Sequence, residues 1–172
     1  MSGDIFEYEV RMNELNKKIL RELTTNSRQS DRLISKKLKI TQPTVSRLRK
    51  KLEKDGLIER YTLIPNLEKI DIEFVTFITL QWKDYSQAKK LEEFNHFLKH
   101  DKRVLFSAPG EGFEDKTKII MTFHKNYRSY ELFLREIRAN WKDYVESMDS
   151  FLVSTSNIIT NFDFNIISRI DE

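Results

Sequence analysis

Ile34-Ser35-Lys36-Lys37-Leu38, followed by Lys39-Ile40 and then Thr41-Gln42-Pro43-Thr44-Val45-Ser46-Arg47-Leu48-Arg49-Lys50-Lys51-Leu52, is the stretch whose reading decides the fold. Thr41 stands where a helix N-cap is wanted, because its hydroxyl can accept an otherwise orphaned backbone N–H. Pro43 falls in the first turn, where a missing N–H costs nothing. Val45, Leu48 and Leu52 then make one apolar stripe at helical spacing. Upstream, Ser30 is placed to cap a second helix carrying Leu33, Ile34 and Leu38. Further back, Leu15, Ile19, Leu20 and Leu23 mark a first helix, ended by Thr24-Thr25-Asn26-Ser27. Downstream, Gly56 suits a left-handed helix terminus. Ile58 to Ile64 alternates toward a strand, and Pro65-Asn66 turns it. Two helices joined by Lys39-Ile40-Thr41, with a strand behind them, describe a winged helix-turn-helix.

Charge singles out the same region. The chain of 172 residues carries a net +3, but residues 11–60 alone carry +9, while residues 1–10 and 61–172 carry −3 each. Such asymmetry points to a module that faces nucleic acid or a membrane surface, joined to something else. With a step of about 100° per residue, the face opposite the apolar stripe holds Ser46, Arg47, Lys50 and Lys54. Gln42, Thr44, Arg49 and Lys51 lie on its flanks. Lys and Arg neutralise phosphates, and Arg, Gln and Ser reach base edges. The expected DNA-binding set is therefore Gln42, Thr44, Ser46, Arg47, Arg49, Lys50, Lys51 and Lys54, with Arg60 from the wing. A solvated basic helix face is the bland alternative.

The remainder reads as a different class. Phe74 to Trp82 is β-branched and aromatic, a strand. Ser86 to His100 is a helix with Ala88, Leu91, Phe94 and Leu98 inward. Val104 to Ala108 and Lys116 to His124 are strands around a Pro109-Gly110-Glu111-Gly112 turn. Tyr127 to Val145 is a strongly amphipathic helix. Phe151 to Ile159 is a fourth strand, and Phe162 to Ile167 suggests a fifth. The order βαββαβ is the ferredoxin-like arrangement, with both helices on one sheet face. The fold class is thus α+β, with a winged helix-turn-helix over 1–64, a connecting segment over 65–73 and a ferredoxin-like effector and dimerisation domain over 74–172. The second sheet face, assigned Val75, Phe77, Thr79, Ile120 and Thr122, is too apolar for a wet surface. Self-association through it is the economical answer.

Composition bounds the rest. The absence of Cys excludes a disulfide scaffold, a thiolate zinc site and thiol catalysis. Twelve Phe, six Tyr and two Trp argue against disorder. No apolar run reaches the roughly 18 residues of a membrane span, and no apolar leader follows the start. The expectation is a cytoplasmic protein.

Leu15-Asn16-Lys17-Lys18-Ile19-Leu20, Ile34 to Leu38, Thr41 to Leu48, and Leu52-Glu53-Lys54-Asp55-Gly56-Leu57-Ile58-Glu59-Arg60-Tyr61 together resemble the Lrp/AsnC transcription regulators. The resemblance is closest over residues 13–73; beyond that it rests on the order of elements. It implies a transcription regulator on double-stranded DNA, a homodimer or a larger assembly such as a tetramer or octamer, and an amino-acid effector. It also departs from the pattern, at Asn16 and Lys18 and in the central turn, where Gly112, Phe113 and Asp115 echo a Gly-x-Tyr-Asp motif with altered spacing. Gly110, Gly112 and Asp115 are the effector-binding candidates, since glycines allow close backbone approach.

Other classes compete. A low-specificity, chromatin-like DNA-binding protein has the same charge pattern. The siroheme decarboxylases are similar in plan, yet Val104 to Ala108 has no His or Arg, and Arg103 is isolated. No Gly-x-Ser-x-Gly elbow, phosphate loop or dinucleotide fingerprint occurs. His96 and His100 sit four apart on a helix with Glu92 and Glu93 one turn earlier, but they lie away from its inner face and no Cys or third His converges in sequence. His124 is expected to end a strand, at a loop. No enzyme activity, cofactor or metal is expected.

Overall fold

The structure, a computed structural model, describes residues 13–162 and 164. The chain divides into two compact units, one formed by the residues up to Ile64 together with Phe162, the other by Pro65–Asn161.

The first unit holds three helices, each started by a side chain from the sequence position that invites it. In α1 (Glu14–Thr25) the side-chain Oδ1 of Asn13 accepts from Asn16 N at 2.8 Å. In α2 (Asp31–Leu38) the Ser30 hydroxyl accepts from Leu33 N at 3.2 Å. In α3 (Gln42–Lys54) Thr41 Oγ1 accepts from Thr44 N at 3.3 Å, with Pro43 in the first turn. Such a cap is worth about 1 kcal/mol. Between α2 and α3 the backbone reverses at Lys39, whose φ of 55° is left-handed. Ile19, Leu23, Ile34, Val45, Leu48 and Leu52 form the core. Leu33, placed on the stripe by spacing alone, is 45% exposed.

The expected wing strand over Ile58 to Ile64 is absent: this segment joins no sheet. Leu57 and Ile58 pack on the helical core, whereas Tyr61, Leu63 and Ile64 stay exposed. An alternating segment becomes a strand only when a neighbour accepts its ladder, and among the described residues none does.

The second unit is a four-stranded antiparallel sheet in the order β2-β3-β1-β4, from β1 (Phe74–Trp82), β2 (Val104–Gly112), β3 (Lys116–His124) and β4 (Val145–Ser154). Two helices, α4 (Ala88–His100) and α5 (Tyr127–Trp141), cover one face. Ile78, Leu80 and Trp82 from β1 and Ile120 from β3 meet Phe94 and Leu98 of α4 and Phe133, Ile137 and Trp141 of α5. The connecting segment belongs to this unit: Leu67, near a 3-10 turn at Glu68–Ile70, packs with Val75 and Met121.

Several boundaries differ from expectation. The Asp84 carboxylate takes Ser86 N and Ser86 Oγ at 2.8 and 2.7 Å, a turn that delays α4 to Ala88. β2 runs on to Gly112. α5 ends at Trp141, and β4 starts six residues before its expected position. β4 pairs only with β1, so it is an edge strand. Its polar Glu146, Asp149 and Ser150 are exposed, which hides it from an apolar reading. The suggested fifth strand lies largely outside the described residues, as does the acidic segment 1–10.

The register corrects one facing assignment. Val75 pairs with Phe123, Phe77 with Met121 and Thr79 with Ile119. Directly opposed residues share a face, so the face away from the helices carries Ile119, Met121 and Phe123. Ile120 and Thr122 instead point to the helices and are fully buried. A shift of one residue exchanges every side chain between faces.

Candidate nucleic-acid interface

The interface is built on α3. Val45, Leu48 and Leu52 are buried and fix the rotation of the helix. Its opposite side therefore faces solvent: Gln42, Arg47, Lys50, Lys51 and Lys54 are exposed, and Ser46 is half-buried. Among the described residues Arg47, Lys50, Lys51 and Lys54 form no ion pair. Four unneutralised cations on one helix favour a polyanion. The structure thus brings together most of the expected set.

Three members of the set have other partners. Arg49 is the clear correction. Its guanidinium pairs with Asp31 Oδ1 at 2.8 Å and donates to Gln29 O at 2.9 Å, with only 16% of the side chain exposed. It ties α3 to the start of α2 and has no free fork for a phosphate. Thr44 is half-buried, with its hydroxyl 2.8 Å from that of Thr41 at the helix start. Arg60 is exposed but pairs with its neighbour Glu59 at 2.9 Å. Tyr61 donates to Glu53 Oε1 at 2.8 Å, and burial together with that bond pushes its phenol above the ordinary value.

Two cations were missed by the wheel on α3. Lys36 and Lys39 are exposed at the turn between α2 and α3, and neither has an ion pair among the described residues. The signal that could have found them was the +9 of the whole basic block.

In the second unit, Phe77 is 38% exposed, Ile119 37% and Phe151 70%, all on the sheet face away from the helices. Val75 lies under the cover of Leu67 and Ile72, and Thr79 is half-buried. At the β2–β3 turn, Gly110, Gly112 and Asp115 are exposed. A side chain at either glycine would meet nothing within 4 Å, and the left-handed residues there are Glu114 and Asp115, at φ 52° and 60°. The turn does not depend on its glycines.

His124 is the last residue of β3, as expected, but its ring turns inward rather than to the loop. It is buried against Tyr130 and Phe133, with Nε2 2.8 Å from Thr122 Oγ1. Burial, then the nearby Arg103 charge, pushes it down to about 4. Arg103 is far from isolated: it bonds Asp101 and Glu136 and lies over the Phe133 ring. His96 and His100 stack on the exposed side of α4, with ring centroids 4.0 Å apart. Among the described residues no group of three or more His, Asp or Glu converges as a metal site, and no helix is long and apolar enough to cross a membrane.

Known proteins carry the same combination. Residues 12–59 match the family model for winged helix-turn-helix DNA-binding domains. The chain is 35% identical over 102 residues to an uncharacterized HTH-type transcriptional regulator of Pyrococcus abyssi, covering 58% of this chain and 67% of that one. The fold matches an AsnC family transcriptional regulator from Agrobacterium tumefaciens with a TM-score of 0.77 at 20% identity, over 89% of this chain and 95% of that one. It also matches a transcriptional regulator from Neisseria meningitidis in complex with L-Met, with a TM-score of 0.77 at 18% identity, over 90% and 95% of the two chains. With its helix-turn-helix, its free cationic helix and this likeness, the chain belongs to the HTH-type transcriptional regulators, as a DNA-binding member with the Lrp/AsnC fold.

Proposed function

We propose that the protein is a sequence-specific, cytoplasmic regulator that grips double-stranded DNA as a dimer, with one α3 from each copy in successive major grooves. The observation behind this is the solvent side of α3, where Arg47, Lys50, Lys51 and Lys54 have no acidic partner among the described residues while Gln42 and Ser46 offer base-reading groups. Arg47 is the base-reading candidate, since a guanidinium can take both acceptors of a guanine. Lys50, Lys51 and Lys54 serve phosphates, with Lys36 and Lys39 beside them.

The open sheet face supports dimerisation. Phe77, Ile119 and Phe151 leave an apolar surface on an otherwise charged domain, and a second copy of the same face would bury it. Two copies supply the two half-sites that a helix-turn-helix needs.

The test is a gel-shift competition with an enriched binding site against random duplex DNA. A specific regulator prefers its site by about a thousandfold or more. Equal competition by random DNA would support the chromatin-like alternative instead.

A further inference from the structure

The second unit contains a cleft of about 510 Å³ between α4 and the β2–β3 edge of the sheet. That volume suits a small organic ligand. Its apolar walls include Trp82, Leu91, Leu98 and Phe106. Its polar groups include Lys118 and Asn95.

Lys118 is the unusual member. It lies on β3 opposite Leu80, so it points to the helix-covered side, and it is only 7% exposed. Its ammonium donates to Asn95 Oδ1 at 2.8 Å. Among the described residues no carboxylate pairs with it. Lys116, two residues earlier and equally buried, has Asp149 at 2.7 Å. A buried ammonium is costly unless an anion compensates it, and burial pushes Lys118 below its ordinary value. The cleft lining contains no Asp or Glu, and Lys99 adds a second cation. A ligand entering here meets positive charge together with aromatic and aliphatic surface.

We propose that this cleft binds a small apolar carboxylate, with the carboxylate on Lys118 and the hydrocarbon body against Trp82 and Phe106. The lining also sets the specificity. An amino acid would bring an ammonium group into a site that has two lysines and no acid, so the preferred ligand is a carboxylic acid without an amino group. The lining described comes from one subunit and includes neither Gly110, Gly112 nor Asp115.

Isothermal calorimetry on the full chain tests this with phenylacetate, phenylacetamide and phenylalanine as probes. Phenylacetate is expected to bind, with the amide and the amino acid at least about tenfold weaker, as the loss of one charge-assisted hydrogen bond requires. Lys118→Met should abolish the preference for phenylacetate over its amide while the thermal transition of the protein persists. Lys118→Gln serves the same purpose should the methionine variant not fold. Lack of binding of phenylacetate at millimolar concentration, equal binding of phenylalanine, or an unchanged preference in a folded Lys118 variant would each overturn the proposal.

Discussion

Arg47 and Arg49 sit two residues apart on α3 and have opposite surroundings. About 200° of helix rotation separates them. One is exposed with no ion pair among the described residues, and the other is held by Asp31 and the Gln29 carbonyl. Their alanine variants should therefore separate binding from folding. Arg47→Ala is expected to cost about 1–3 kcal/mol in DNA affinity, with an unchanged urea midpoint. Arg49→Ala is expected to cost about 1–3 kcal/mol in stability, because it leaves partly buried polar partners unmatched; its urea midpoint should fall. The reverse pattern would mean that α3 is rotated from the orientation described. His124 gives a second residue-scale test. Its folded value of about 4 lies below the ordinary 6.5, so the unfolded chain takes up a proton first as the medium acidifies. Its contribution to stability is complete above pH 6.5 and is lost as pH falls from 6.5 through about 4. An NMR titration should show the His124 ring neutral down to pH 5; a midpoint near 6.5 would contradict its burial.

At the scale of elements, the two sides of β3 should respond differently. Ile120→Ala opens a cavity in the helix-covered core and is expected to cost about 2–5 kcal/mol in urea unfolding. Phe77→Asp or Phe151→Asp changes the open face and should leave the fold intact while shifting the protein toward monomer in analytical ultracentrifugation. An unchanged sedimentation coefficient in both aspartate variants would place the dimer contact elsewhere. The alternation of Lys116 to His124 was plain in the sequence, but which side met Phe77 was not. Periodicity fixes that two faces exist; only the pairing of Phe77 with Met121 fixes which residues share one. The same limit explains β4. Glu146 to Ser150 reads as polar chain, because an edge strand with a solvent side carries little apolar signal. The wing failed for the opposite reason, since Ile58 to Ile64 has strand-like alternation but no strand to pair with. The helix starts were legible because caps are local: Asn13, Ser30 and Thr41 each bond a backbone N–H three residues on. On α3 the wheel found Arg47, Lys50, Lys51 and Lys54. It could not show that Asp31, eighteen residues before Arg49, would claim that arginine.

For the whole molecule, the modest net charge conceals a division of labour. The basic block lies in the first unit, and residues 61–172 carry a net −3, which confines attraction for DNA to one part of the chain. Binding should accordingly weaken steeply with salt, and each of Lys50→Ala, Lys51→Ala and Lys54→Ala should reduce the logarithmic salt slope by about 1 if that lysine meets a phosphate. An unaltered slope in all three would remove α3 from the phosphate contacts. Sequence reading by α3 is tested most directly by enriching bound sites from random duplex DNA with the wild-type protein and with Arg47→Ala in parallel. The expected wild-type result is a two-fold symmetric motif with half-sites about one helical turn, or a multiple of it, apart. The Arg47→Ala motif should lose information at one symmetric pair of positions and keep the rest. A wild-type protein that enriches no motif, or an Arg47→Ala motif identical to the wild-type one, would contradict sequence reading through Arg47 on α3.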